Sequence, residues 1–210
     1  MNFFSKIKGR LRVIKSRFDN QIRANHQDQE YFINGINIKV GKHTYGLESA
    51  KFLKWGEDIP TVSIGRYCSI SYGLQFVTGG NHRQDWVTTF PFGHTETTKN
   101  ICSPIDGHPH PSKDISIMND VWIGRNVSIM SGVRVGNGAV IATNSHVIKD
   151  VPDYAIVGGN PAKLIKFRFK DETIKELLES KWWNWQEEKI KKNLFYLSSD
   201  PEAKNLSEND

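Results

Sequence analysis

The residues best suited to chemistry gather in one stretch of the chain. His82 lies in GGNHRQDW (79–86), and two further imidazoles, His108 and His110, lie in DGHPHP (106–111). An imidazole changes charge near neutral pH, so each could take a proton from a hydroxyl or an amine. Together the three could also offer nitrogen ligands to zinc, although the neighbouring prolines equally describe an ordinary rigid loop. Cys68 and Cys102 are the candidate thiol nucleophiles. Two cysteines are too few for a disulfide framework and lack the paired spacing of a zinc ribbon, so both are expected to be reduced.

These groups need a scaffold, and 210 residues with 38% apolar content, six Trp and eleven Phe suffice to fold one elongated domain with terminal extensions. Its signature is a period of six. Branched aliphatics recur at Ile117, Ile123, Ile129, Val135, Ile141 and Val147, and the position four further on holds Val121, Val127, Val133, Ala139, Ser145 and Val151. Asn119, Asn126, Asn137 and Asn144 mark corners that tolerate left-handed backbone angles. A helix needs a 3.6-residue period and an isolated strand a period of two. Period six fits a coil of three short strands per turn, with one inward aliphatic per face and successive coils stacked at strand spacing of about 4.8 Å. The expected class is an all-β solenoid, a parallel β-helix. Ile64-Gly65, Ile70 and Phe76 repeat the pattern, as does Val40-Gly41. Cys68 falls on the inward track of Val121 and Val127, which points to a buried structural thiol.

Between Phe76 and Ile115 the repeat stops. An interruption that long is usually functional, and it holds the three imidazoles. The chain therefore divides into a basic arm (1–30), a solenoid (31–169) with an active-site loop at 77–114, and a C-terminal helical region with a tail (170–210). In that last region Asp171 is the expected N-cap, and Ile174, Leu177, Leu178, Trp182 and Trp185 are expected to share a packing face.

The net charge of +5 is local. Residues 1–23 carry seven bases against one acid, leaving 21 bases and 22 acids elsewhere. A nucleic-acid partner is not expected, because no basic stripe or base-reading motif sits on the fold itself. Phe4, Ile7, Leu11, Ile14 and Phe18 give the arm an apolar seam with cationic flanks, suited to an anionic membrane surface or to another subunit. No apolar run is long enough to span a membrane and no secretory leader is recognisable, so a cytoplasmic location is expected, with the inner face of a membrane open to the arm.

The strings GGNHRQDWVTTFPF, NDVWIGRNVSIMSGVRVGNGAVIATNSHVIKDVPDYAIVGGNPAKLIKFRF and KWWNW resemble the xenobiotic acetyltransferase branch of the hexapeptide-repeat acyltransferases over residues 36–190. The resemblance implies a left-handed winding, a homotrimer with active sites between subunits, and acetyl transfer from acetyl-CoA, with no metal expected. It also implies that His82 is the general base. Direct transfer then needs no covalent acetyl-enzyme: the base removes the acceptor proton, the freed atom attacks the thioester, and the imidazolium assists departure of the thiol.

For the cofactor, Gly132, Ala142 and Thr143 are candidate walls, and Gly159, Asn160, Pro161 and Ala162 resemble the family's cofactor-end loop. Lys163, Lys166 and Arg168 could meet phosphates or simply face solvent. Trp122 could line the cleft or pack. For the acceptor, Tyr45, Glu48, Trp55, Asn81 and Asp85 are the candidates. The arm and the stretch HTYGLESAKFLKWGED (43–58) favour a sugar, nucleotide-linked or a surface polysaccharide precursor, over chloramphenicol or a streptogramin. Ester and amide products both stay open, and a zinc enzyme on His82, His108 and His110 and a catalytically silent scaffold stand as alternatives.

Overall fold

The computed structural model describes residues 26–108 and 110–202. Residues 1–25 of the expected arm, with their apolar seam, lie outside the described residues.

The described residues wind through fourteen short strands that stack into three sheets. The first face holds β1 (Gln29–Ile33), β2 (Ile36–Val40), β4 (Thr61–Ile64), β7 (Ile115–Ile117) and β10 (Arg134–Val135). The second holds β5 (Ser69–Ile70), β8 (Trp122–Ile123), β11 (Val140–Ile141), β13 (Ala155–Gly159) and β14 (Ala162–Phe167). The third holds β3 (Lys51–Trp55), β6 (Gln75–Gly79), β9 (Ser128–Met130) and β12 (His146–Val147). Consecutive coils pair in parallel on every face, as expected of a parallel β-helix. Both aliphatic tracks point inward: Ile117, Ile123, Ile129, Val135, Ile141 and Val147 are buried, as are Val121, Val127, Val133, Ala139, Ser145 and Val151.

The two ends differ from the middle. At the start, β1 runs antiparallel to β2, turning at Asn34 (φ 53°) and Gly35 (φ 75°). Two positive φ values make the tight turn for which Asn-Gly is the favoured pair. The solenoid's first sheet thus begins at Gln29, inside the stretch assigned to the arm. At the far end β14 folds back antiparallel on β13.

Corners differ in how they use asparagine. Asn126 (φ 54°) and Asn144 (φ 60°) take left-handed angles as expected, whereas at the edge between the first and second faces that role falls to Asp120 (φ 58°) and Gly138 (φ 64°). Asn119 and Asn137 act through their side chains instead. Asn119 Oδ1 accepts the Arg66 N–H at 2.9 Å, and its Nδ2 donates to Asn137 Oδ1 at 3.0 Å. Asn137 Nδ2 in turn donates to Asp153 Oδ1 at 2.9 Å. This ladder satisfies polar groups that the coils would otherwise bury without partners.

Register shows where the sequence departs from the repeat. Partners in the later coils stand 18 residues apart, as in Ser116 with Arg134 and Ser128 with His146. From Ile64 to its partner Ile117 the separation is 53, so 35 residues are inserted. The first two coils are 24 apart on all three faces, because Phe52 to Ile64 takes twelve residues where Ile129 to Val135 takes six. Both insertions fall at the edge where the third face hands over to the first. The long loop begins at Gly80, since Val77 to Gly79 belong to β6.

After the solenoid come α1 (Asp171–Ser180), α2 (Glu187–Lys192) and α3 (Leu194–Leu197). The N-cap of α1 is Lys170 and not Asp171, which lies in the first turn with Glu172, where acidic side chains complement the helix dipole. The helix stops at Ser180 and Lys181 turns left-handed (φ 42°), so Trp182 and Trp185 leave the expected helical face. Trp182 instead packs on Tyr67, ring centroids 4.9 Å apart, and Trp183 is buried.

Gly65 shows how closely the coils approach. A Cβ there would sit 2.6 Å from the Met118 carbonyl carbon and oxygen, so Gly65→Ala should destabilise by about 1–3 kcal/mol through overpacking. Urea unfolding at fixed protein concentration measures this; an unchanged midpoint contradicts it.

Candidate active site

The two insertions at the shared edge build a cleft of about 620 Å³, lined by Trp55 at the end of β3, by Gly56 and Glu57 from the short insertion and by Gly80, Asn81, His82, Pro91, His94 and His108 from the long one. Val77 and Met130 face it from β6 and β9. These two are register partners at outward positions, next to the inward Phe76 and Ile129.

His82 Nδ1 lies 2.7 Å from the Thr89 carbonyl oxygen. A carbonyl can only accept, so Nδ1 carries the proton and, in the neutral ring, Nε2 holds the lone pair. That nitrogen has no partner among the described residues and belongs to a side chain that lines the cleft. Beside it stands His108, buried, its ring edge-to-face with His82 at a centroid distance of 4.9 Å. Burial, then the nearby His82 and His94, lower the pKa of His108.

Arg83 holds this loop together. Its guanidinium makes a two-point ion pair with Asp85, with Nε to Oδ1 at 2.7 Å and Nη2 to Oδ2 closer still. It lies over the Trp86 ring at 4.9 Å and reaches the Gly107 carbonyl at 3.4 Å. Arg83 holds the Asp85 carboxyl at about 2. Because that pKa is depressed, the pair persists down through ordinary acid conditions and is lost only as pH falls towards 2. His110 donates its backbone N–H to the Asn81 carbonyl at 2.9 Å. The loop's outgoing and returning limbs are thereby joined.

The candidates read from the sequence divide by location. His82, Asn81 and Trp55 share the cleft. Asp85 is occupied by Arg83 and does not line it. Tyr45 bridges to Ser69 on the second face of the first coil, and Glu48 sits in the following 3-10 turn, Leu47–Ser49; both are away from the cleft. Ala142, Thr143, Gly159, Asn160, Pro161, Ala162 and Lys163 gather where the second face meets the third, with Gly159 N–H on Ser145 Oγ at 3.2 Å. Gly132 lies at the cleft's edge of the prism, against the Lys113 side chain. Trp122 is exposed on the second face. Lys166 pairs with Ile156 near that face's other border. Arg168 is committed to the fold: Nη1 donates to the Gly138 carbonyl at 2.7 Å and meets Asp120 Oδ2 at 3.4 Å.

The sequence reading missed Val77, Pro91, His94 and Met130. Stacking register would have found Val77 and Met130, once the coils were aligned; His94 and Pro91 carry no such signal. Among the described residues no group of three His, Cys, Asp or Glu side chains is arranged to hold a metal.

Residues 114–149 match the family model described as bacterial transferase hexapeptide (six repeats). The chain is 40% identical over 190 residues to a chloramphenicol acetyltransferase of Morganella morganii, covering 85% of this chain and 89% of that one. It is 44% identical over 188 residues to a virginiamycin A acetyltransferase of Staphylococcus aureus, covering 81% of each. The chain belongs to the hexapeptide-repeat acyltransferases. Within that family it falls in the xenobiotic acetyltransferase branch, as its motifs implied. The protein is an acetyltransferase. A solved hexapeptide-repeat acetyltransferase from Vibrio cholerae, complexed with acetyl-CoA, is 28% identical, with a TM-score of 0.40 over 63% of this chain and 61% of that one.

A thiol nucleophile is poorly served here. Cys68 is fully buried and burial pushes its thiol up to about 12. Native protein treated with a chromogenic disulfide reagent should therefore titrate no more than one thiol, with the second appearing on denaturation. Two fast-reacting thiols in the folded state would contradict this placement.

Proposed function

We propose that this protein transfers the acetyl group of acetyl-CoA to a hydroxyl of an antibiotic-type acceptor, with His82 as the general base. One observation carries the reading: the hydrogen bond from His82 Nδ1–H to the Thr89 carbonyl, which leaves Nε2 to take a proton inside the cleft. The acceptor O–H gives its proton to Nε2 while its oxygen attacks the thioester carbonyl. Collapse of the tetrahedral species breaks the C–S bond, and the imidazolium returns the proton to the CoA thiolate.

The acceptor replaces the sugar expected from the sequence. Relatives named for chloramphenicol and virginiamycin match over more than four-fifths of the chain. The stretch 43–58, which had favoured a sugar, instead forms the first coil, and only its end, at Trp55, reaches the cleft. Trp55 and Asn81 are the acceptor-side residues in this reading, with Val77, Pro91 and Met130 as apolar walls.

The working unit is a left-handed solenoid assembled as a homotrimer. Support comes from the separation of the two halves of the site on one chain: His82 stands at the edge between the third and first faces, and the Gly159–Lys163 turn with Ala142 and Thr143 at the edge between the second and third. A neighbouring subunit would bring the cofactor edge to the His82 edge. No described helix is long and apolar enough to cross a membrane.

Thiol release from acetyl-CoA, measured with chloramphenicol, a streptogramin and nucleotide-linked sugars, tests this. Turnover is expected with an antibiotic and should fall by about 10²–10⁴-fold in His82→Ala. Retained turnover in that variant removes His82 from the role, and turnover confined to sugars restores the earlier acceptor. Trp55→Ala should raise the KM for the acceptor several-fold and leave that for acetyl-CoA unchanged.

A further inference from the structure

We infer that His108 is a positioning residue for the reaction, holding the plane of the His82 ring so that Nε2 faces the acceptor. This rests on the reading of His82 as base. The hydrogen bond to Thr89 fixes one ring atom of His82 but leaves the ring able to tilt about that contact. His82 is otherwise exposed, and the ring that meets it, at 4.9 Å and an interplanar angle of 81°, is His108. Edge-to-face packing of this kind restricts tilt, because each ring's positive rim is attracted to the other's negative face.

His108 is itself held from several sides. It is 5% exposed. Its Nδ1 accepts the Arg83 backbone N–H at 3.4 Å, and the Trp86 and His94 rings each lie 5.9 Å from it. His94 is anchored in turn, Nε2 to the Ile105 carbonyl at 3.2 Å. Since Nδ1 accepts, the proton of the neutral ring sits on Nε2, and that atom is buried with no partner among the described residues. Leaving a buried donor unpaired costs about 1–3 kcal/mol, so Nε2 does nothing to hold the ring, which acts on His82 through its packing. Its lowered pKa agrees with a ring that stays uncharged beside a base that must itself become charged.

The test compares His108→Phe, which keeps a ring, with His108→Leu, which fills similar space without one. Both lose the Arg83 contact, so their difference reports the ring alone. With acetyl-CoA and chloramphenicol or a streptogramin, His108→Leu should lower kcat about tenfold or more and leave the KM for acetyl-CoA within twofold, while His108→Phe stays within threefold of wild type. Melting midpoints check that both variants fold. Equal kcat in the two variants overturns the inference, whether both match wild type or both lose activity. If His82→Ala is as active as wild type, the reading of the base fails first, and the two failures are told apart.

Discussion

Each coil of this protein depends on the coil beside it. The parallel strands, two to five residues long, have no partner within their own turn, so their N–H and C=O groups are satisfied only across the gap between coils. That requirement fixes the rest. Three faces must stay in register at once, inward positions must be largely apolar, and the chain can lengthen only at a corner, where it has left one ladder and not yet joined the next. Both extra lengths use the same edge. The site follows from that coincidence: Trp55 ends β3, a six-residue excess after it supplies Glu57, and a 35-residue excess supplies three imidazoles.

Within the long insertion there is no ladder to lean on, and side chains replace it. Arg83 does part of this work through Asp85, Trp86 and Gly107, while Thr89 lends a carbonyl to His82. The contrast with Arg168 is instructive. There too an arginine sits near an acid, but it closes the solenoid's far end against Gly138 and Asp120, and a cation spent on the fold is no longer free to meet a phosphate.

How much was legible follows from what repeats. Ile117 to Val147 could be placed inward from the sequence because every coil imposes the same demand, and Cys68 could be recognised as buried because it shares that track. Asn119 and Asn137 were located but misassigned, since the corner needs both a left-handed residue and a side-chain bridge and one-letter spacing does not say which residue supplies which. The insertion was visible as an interruption, yet its interior was not: Asp85 looked like a ligand contact until its partner Arg83 was seen, and His108 looked like one end of a zinc site or a rigid loop. Tyr45 and Glu48 fall away from the cleft for the opposite reason: a first coil with six extra residues and a 3-10 turn does not repeat the pattern of later ones. His82 was legible only through the strings around it.

The antiparallel strands at the two ends have a further consequence. A stack of parallel coils is open-ended by nature, and an unprotected last coil invites the first coil of another molecule, then another. On the first face β1 presents a reversed strand below β2, and on the second β14 does so above β13. A newcomer would meet a reversed strand on one face at either end, which works against growth of the solenoid into a filament.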